Sequence, residues 1–181
     1  MGIPSKLDNL LELFFNEGTK HWHFKEIVLK AKISEDRANR WLRQLKKEKI
    51  IKNVKPAGKM PYFIAEFENP SYKNKKRLYA LNQLNQGGLL MDLQSSKNVK
   101  AAVIFGSFSR ADWYTESDID IFILGNVKKS EFPSFFNHRD VQLHIFNNKK
   151  DIKKIRSGLM HNVINGYFVK GKVQDIVDVK I

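Results

Sequence analysis

A short apolar run, Ala101-Ala102-Val103-Ile104-Phe105, stops at Gly106-Ser107; ten residues later Asp118-Ile119-Asp120 opens a second one, Ile121-Phe122-Ile123-Leu124. Each run has the length and composition of a buried strand. Strand side chains alternate between faces, so Asp118 and Asp120 share one face while Ile119, Ile121 and Ile123 share the other. Asp is a poor strand former, and two on one face repel each other. At about 4 Å and an effective dielectric near 20 that repulsion is roughly 4 kcal/mol. A hard divalent cation turns the liability into a site, because Mg²⁺ takes one or two protein carboxylates and completes its shell with nucleotide phosphate oxygens. Gly106 lets the backbone come close to a phosphate, and Ser107 offers a hydroxyl to one. Alone, Gly-Ser is a common turn, and a pair of aspartates at a strand mouth is solvated or matched by lysine. Together, at this spacing and between two apolar strands, they point to function.

The stretch Gly106-Ser107-Phe108-Ser109-Arg110-Ala111-Asp112 through Ser117-Asp118-Ile119-Asp120 resembles the signature of the minimal nucleotidyltransferases, within the DNA polymerase β-like superfamily. The resemblance implies a mixed sheet flanked by helices. It also implies metal-dependent transfer of a nucleoside monophosphate from a nucleoside triphosphate, most simply AMP from ATP, with release of pyrophosphate. Carried over residue by residue, Gly106 and Ser107 hold the triphosphate, Asp118 and Asp120 bind Mg²⁺ or Mn²⁺, and Arg110 braces the loop or a phosphate. The family often has Ala-Arg-Gly after its Gly-Ser, where this chain has Ser109-Arg110-Ala111, and the missing second glycine stiffens the loop.

Members that catalyse usually place a third carboxylate on the next strand, here Asp140-Val141-Gln142-Leu143-His144-Ile145-Phe146. By alternation Val141, Leu143 and Ile145 face the core, and Asp140, Gln142 and His144 share the other face. The family's pattern puts the third acid at Gln142, an amide that ligates weakly and cannot act as a base. Asp140, two residues earlier on the same face, ranks above Gln142 as a surviving third carboxylate. Nucleotide and metal binding with slow or partner-dependent transfer is the expectation.

The first half reads as three helices and a hairpin. Leu7, Leu10, Leu11 and Phe14, then Phe24, Ile27, Val28 and Ala31, recur at helical spacing. Ser34 stands at an N-cap position with Glu35 and Asp36 in the first turn, and Ala38, Trp41, Leu42 and Leu45 face inward on a third helix. Ile50–Val54 and Tyr62–Phe67 read as strands about a Pro56-Ala57-Gly58 turn. This order resembles the winged helix-turn-helix family, and the resemblance implies that the third helix is a recognition helix. Arg37, Arg40, Gln44 and Lys47 lie along one stripe of it; Arg suits guanine and Gln suits adenine in the major groove. Lys52, Lys55 and Lys59 of the hairpin suit phosphates. A helical domain with a solvated basic face is the plainer alternative.

Residues 1–85 hold 18 Lys or Arg against 9 Asp or Glu, and residues 86–181 hold 14 against 10, so most of the net charge of +13 sits in the first half. Such a field draws phosphates without choosing among them. A connecting helix over Pro70–Leu84 ends at Gln86-Gly87-Gly88, dividing the chain into a winged-helix domain, 1–85, and a nucleotidyltransferase-like domain, 86–181. The fold class is therefore α/β (α+β). No apolar run nears the roughly 18 residues of a membrane span. The opening Met1-Gly2-Ile3-Pro4-Ser5-Lys6 has no leader-like core, and the absence of cysteine excludes disulfides and thiolate metal sites. A cytoplasmic protein is expected. Lys149, Lys150, Lys153 and Lys154 open a last helix with Ile152, Ile155, Leu159 and Val163 on its apolar side.

Two classes of function stay open. One is a nucleotidyltransferase whose acceptor comes on a partner, which in the minimal family is often a small HEPN protein paired with it as toxin to antitoxin. The other is a DNA-binding regulator in which the nucleotidyltransferase fold is a weak or inactive nucleotide sensor or a dimerisation unit. An enzyme that modifies nucleic-acid ends is a third, and oligomeric state is left open.

Overall fold

The computed structural model describes residues 5–153 and 155–177; the N-terminal residues before Ser5 and Lys154 of the lysine cluster lie outside them. The chain divides into two compact units. One comprises residues up to Tyr79 with Trp113–Thr115, the other Ala80–Asp112 with the residues from Glu116 onward. Helix α4 (Pro70–Gln86) ends at the expected break, but the division falls inside it.

The first unit contains α1 (Lys6–Asn16), α2 (Phe24–Ala31), α3 (Glu35–Lys47), β1 (Ile51–Val54), β2 (Tyr62–Ala65) and the start of α4. A capping box starts α1: the Asp8 N–H donates to the Ser5 hydroxyl at 3.1 Å and the Ser5 N–H to the Asp8 carboxylate at 3.0 Å. Ser34 has the extended backbone of an N-cap but no capping side-chain hydrogen bond, leaving Glu35 and Asp36 to oppose the helix dipole. Ala38, Leu42 and Leu45 of α3 are buried, whereas Trp41 is only half-buried. The antiparallel hairpin pairs Ile51 with Ala65 and Val54 with Tyr62. Trp22 joins β2 through two backbone hydrogen bonds with Phe63, both 2.8 Å.

Leu10, Phe14, Phe15, Ile27 and Tyr72 fill the core of this unit, each large side chain contributing about 1.5–3 kcal/mol over an exposed position. The Tyr72 hydroxyl donates to the Phe14 carbonyl at 2.9 Å, and burial pushes that phenol above its usual range. Trp113 is buried beside Phe15, with the Lys76 ammonium 4.4 Å from its ring centroid. The cation–π contact and the Trp113 carbonyl, which accepts from the same ammonium, are what let a lysine be buried here.

The second unit contains the end of α4, α5 (Leu89–Ser95), β3 (Val99–Phe105), α6 (Ser107–Arg110), β4 (Ile119–Gly125), a 3₁₀ turn (Lys129–Glu131), β5 (Phe135–Phe136), β6 (Arg139–Phe146), α7 (Lys149–Ile152), α8 (Ser157–Ile164), β7 (Tyr167–Lys170) and α9 (Val173–Ile176). The sheet order is β5-β6-β4-β3-β7; β4 and β6 are parallel and the other pairs antiparallel, giving a mixed sheet. On one face Ala101, Val103, Phe105, Phe122 and Leu124 pack against Ile152, Val163 and Ile176 of the last three helices. Ala102, Ile104, Ile119, Ile121 and Ile123 of the opposite face are also buried. The two faces together explain why these strands read as continuous apolar runs.

The expected single C-terminal helix is two, α7 and α8. Asn148 caps the first by accepting from the Lys150 and Asp151 N–H groups at 2.9 and 3.1 Å. Gly166 enters β7 against β3, where a Cβ would stand 2.6 Å from the Ile104 carbonyl oxygen. Among the described residues no helix is long and apolar enough to cross a membrane.

Candidate functional site

Strands β3 and β4 run antiparallel with Phe105 opposite Asp120, so the end of one apolar run faces the start of the other. Asp120 stands one pleat beyond buried Phe122 on the same face, where the packed core gives way to solvent, and its side chain is 30% exposed. Asp118 immediately precedes β4 and is half-buried. Gly106, which follows β3, lies directly over Asp120: a Cβ built on it would come within 2.5 Å of the carboxylate oxygen. Its φ of 72° and ψ of −146° lie close to the region that glycine alone occupies readily. Two separate requirements, backbone conformation and clearance from Asp120, therefore demand glycine at this position.

The loop after Gly106 is tightly bonded. The Ser109 hydroxyl donates to the Gly106 carbonyl at 3.0 Å, and the Asp112 N–H donates to the Ser107 carbonyl at 3.1 Å. The Arg110 guanidinium pairs with Asp112 at 2.8 Å, across the turn rather than toward the aspartate pair. Ala111 holds a left-handed backbone, φ 62° and ψ 32°. A glycine would adopt that conformation without the steric penalty of a Cβ.

The third strand brings two polar side chains into hydrogen-bond range of the aspartates. In the parallel pairing Asp120 stands opposite Gln142 and Phe122 opposite His144. The β4 side chains lean along β6: the Gln142 amide donates to Asp118 at 3.4 Å, and His144 Nε2 lies 3.3 Å from the Asp120 carboxylate. The His144 ring also rests 5.2 Å from Phe105, centroid to centroid. Asp140 is exposed and pairs through its backbone with Phe135 of β5. The residues brought to the aspartate pair are an amide and an imidazole, and His144 is the neighbour that strand alternation alone did not single out.

This donor set suits one kind of cation. Among the described residues no group of three or more His, Cys, Asp or Glu is arranged to hold a metal. A full protein cage of the zinc or calcium type is thus not assembled there. Two hard carboxylates at a solvent margin do suit Mg²⁺ or Mn²⁺, whose remaining positions water and phosphate oxygens would fill.

The expected stripe on α3 lies wholly in the first unit. Arg37, Arg40, Gln44 and Lys47 are all exposed. Gln44 donates to Glu48 at 2.7 Å, and Lys75 pairs with the same carboxylate at 2.8 Å. The Lys75 ammonium, and then the Gln44 amide, hold the Glu48 carboxyl below its usual range.

Residues 90–173 match the family described as "Polymerase beta, Nucleotidyltransferase". The match covers most of the second unit and supports its place in the nucleotidyltransferase superfamily. No curated protein matches the chain. Among solved structures, that of apo (heme-free) PefR aligns with 46% of this chain and 73% of its own, at 14% identity and a TM-score of 0.36. A likeness that slight carries no argument.

Proposed function

We propose that the second unit binds a nucleoside triphosphate with Mg²⁺ or Mn²⁺ and transfers its nucleotidyl group, AMP from ATP, to an acceptor on a protein. The observation that carries this reading is the closeness of Gly106 to Asp120. It puts the one stretch of bare backbone in the loop beside the carboxylate pair, where a triphosphate could meet both. Asp118 and Asp120 hold the cation, the Ser107 hydroxyl and the Gly106 backbone face the triphosphate, and Arg110 braces the turn through Asp112. The cation, when bound, neutralises phosphate charge.

In the transfer the acceptor oxygen bonds to the α-phosphorus as the bond to pyrophosphate breaks, and the acceptor proton must leave. Gln142, opposite Asp120, cannot take that proton. Asp140 is the acid on the same strand face that could, and its exposed position makes the transfer slow or dependent on a partner. A HEPN-type protein is the partner this reading names. Gln142→Asp is expected to speed transfer from labelled ATP with Mg²⁺ by about 100-fold, the lower end of what a positioned base contributes. A variant no faster than wild type favours the nucleotide-sensor reading.

A second activity is favoured by the first unit. The order α1, α2, α3 and β1–β2 hairpin, with an exposed basic stripe on α3, supports a winged helix-turn-helix that binds DNA. The two readings are compatible, and in the alternative the chain is a DNA-binding regulator whose second unit senses nucleotide.

A further inference from the structure

The two ligand-bearing pieces of the candidate site are far apart in the chain: Gly106-Ser107 follows β3, and Asp118 and Asp120 flank the first residue of β4. The β3–β4 pairing, with Phe105 opposite Asp120, fixes where the loop begins and ends, and the course of the loop between them depends on contacts made by its own residues. One side chain from β6 touches a residue next to each piece, Phe108 beside Ser107 and Ser117 beside Asp118. Arg139, the first residue of that strand, donates from Nη1 to the Ser117 carbonyl at 2.9 Å. Its guanidinium carbon also lies 5.3 Å from the centroid of the Phe108 ring. Ser117 immediately precedes Asp118, Phe108 follows Ser107, and both are more than nine-tenths buried.

We propose that Arg139 is a positioning residue for the nucleotide site, clamping the start of the Gly-Ser loop to the residue before the aspartates. The inference rests on the reading of Asp118, Asp120 and Gly106 as a cation and nucleotide site. The chemistry requires arginine in particular. A planar guanidinium presents its face to the Phe108 ring while Nη1–H reaches past it to the Ser117 carbonyl; a lysine ammonium ends one bond short of Nη1, so at this position it does not keep both contacts. Arg139→Lys therefore keeps the charge and loses the clamp, and Arg139→Met keeps the apolar stem and loses both contacts.

The test uses the full chain and two readouts. Amide hydrogen exchange of residues 107–118 should accelerate by about tenfold or more in Arg139→Lys and Arg139→Met, while β3 and β4 keep their protection. The affinity for ATP with Mn²⁺, followed by calorimetry and by the Mn²⁺ resonance signal, should fall by about tenfold in both variants. A mutant cycle with Phe108→Leu should show that the two losses are not additive. Unchanged loop exchange overturns the proposal. So does acceleration spread evenly over the sheet, which marks a general stabilising role, and so does faster loop exchange with unaltered affinity. If the wild-type protein binds neither Mn²⁺ nor ATP, the nucleotide-site reading fails and the positioning role fails with it. The exchange result then shows only whether Arg139 orders the loop.

Discussion

Gly106→Ala is expected to cost the second unit about 1–3 kcal/mol of stability and to weaken triphosphate binding by about 100-fold. The stability loss comes from φ of 72°, which a Cβ disfavours. The binding loss comes from the neighbour: the added methyl would stand 2.5 Å from the Asp120 carboxylate oxygen and must displace it. Because Asp120 also meets His144, the displacement disturbs that pair as well. Denaturant titration and ATP titration of the same variant separate the two effects. A variant as stable as wild type that binds ATP equally would show that the glycine faces no ligand. Ala111 of the same loop also has a positive φ, 62°, but its ψ of 32° lies in the left-handed helical region that a non-glycine can enter, whereas the ψ of −146° at Gly106 does not. Gly106 is set apart both by that backbone and by the carboxylate over it.

DNA binding by the full chain should fall about a thousandfold between 50 and 200 mM salt. That figure follows if Arg37, Arg40, Lys47, Lys52, Lys55 and Lys59, all exposed, each neutralise about one phosphate, because every such contact releases counterions. Arg40→Ala should cost about 1–3 kcal/mol on a preferred site if it reads a base edge, and an equal loss on every sequence if it meets a phosphate. Fluorescence anisotropy across a salt series measures both. A weak, salt-insensitive signal would assign the basic stripe to solubility or to a protein partner instead.

Much of this arrangement was legible in the chain because it is local. Leu10, Leu11 and Phe14 announced α1 by helical spacing, and the Gly-Ser to Asp-x-Asp interval announced two strands with a loop between them. What strand pairing decides was not legible. Alternation puts Asp140, Gln142 and His144 on one face, but only the parallel register of β4 with β6 determines which of them reaches which aspartate. The register sets Asp120 opposite Gln142, and the side chains, reaching one pleat along the strand, bring Gln142 to Asp118 and His144 to Asp120. Arg139 carries no signal in the sequence for the same reason, since its partners Ser117 and Phe108 are brought to it by the sheet. Trp113 stands in the interval between the two strands with no pattern around it, and it is core of the first unit because its ring finds Phe15 and Lys76, far away in sequence. The break between α7 and α8 was hidden by apolar residues that keep helical spacing across it.

The central claim is that Asp118 and Asp120 hold a divalent cation against which a triphosphate binds. Its most direct test is calorimetric titration of the full chain with ATP, in Mg²⁺ and in EDTA, for wild type and for the Asp118→Ala/Asp120→Ala double variant. The account predicts binding by wild type in Mg²⁺, loss of that binding in EDTA, and none by the double variant under either condition. The variant should remain folded, because both aspartates lie at the solvent margin and their removal opens no core cavity. Equal ATP binding by the two proteins in Mg²⁺, or wild-type binding unaffected by EDTA, would contradict it.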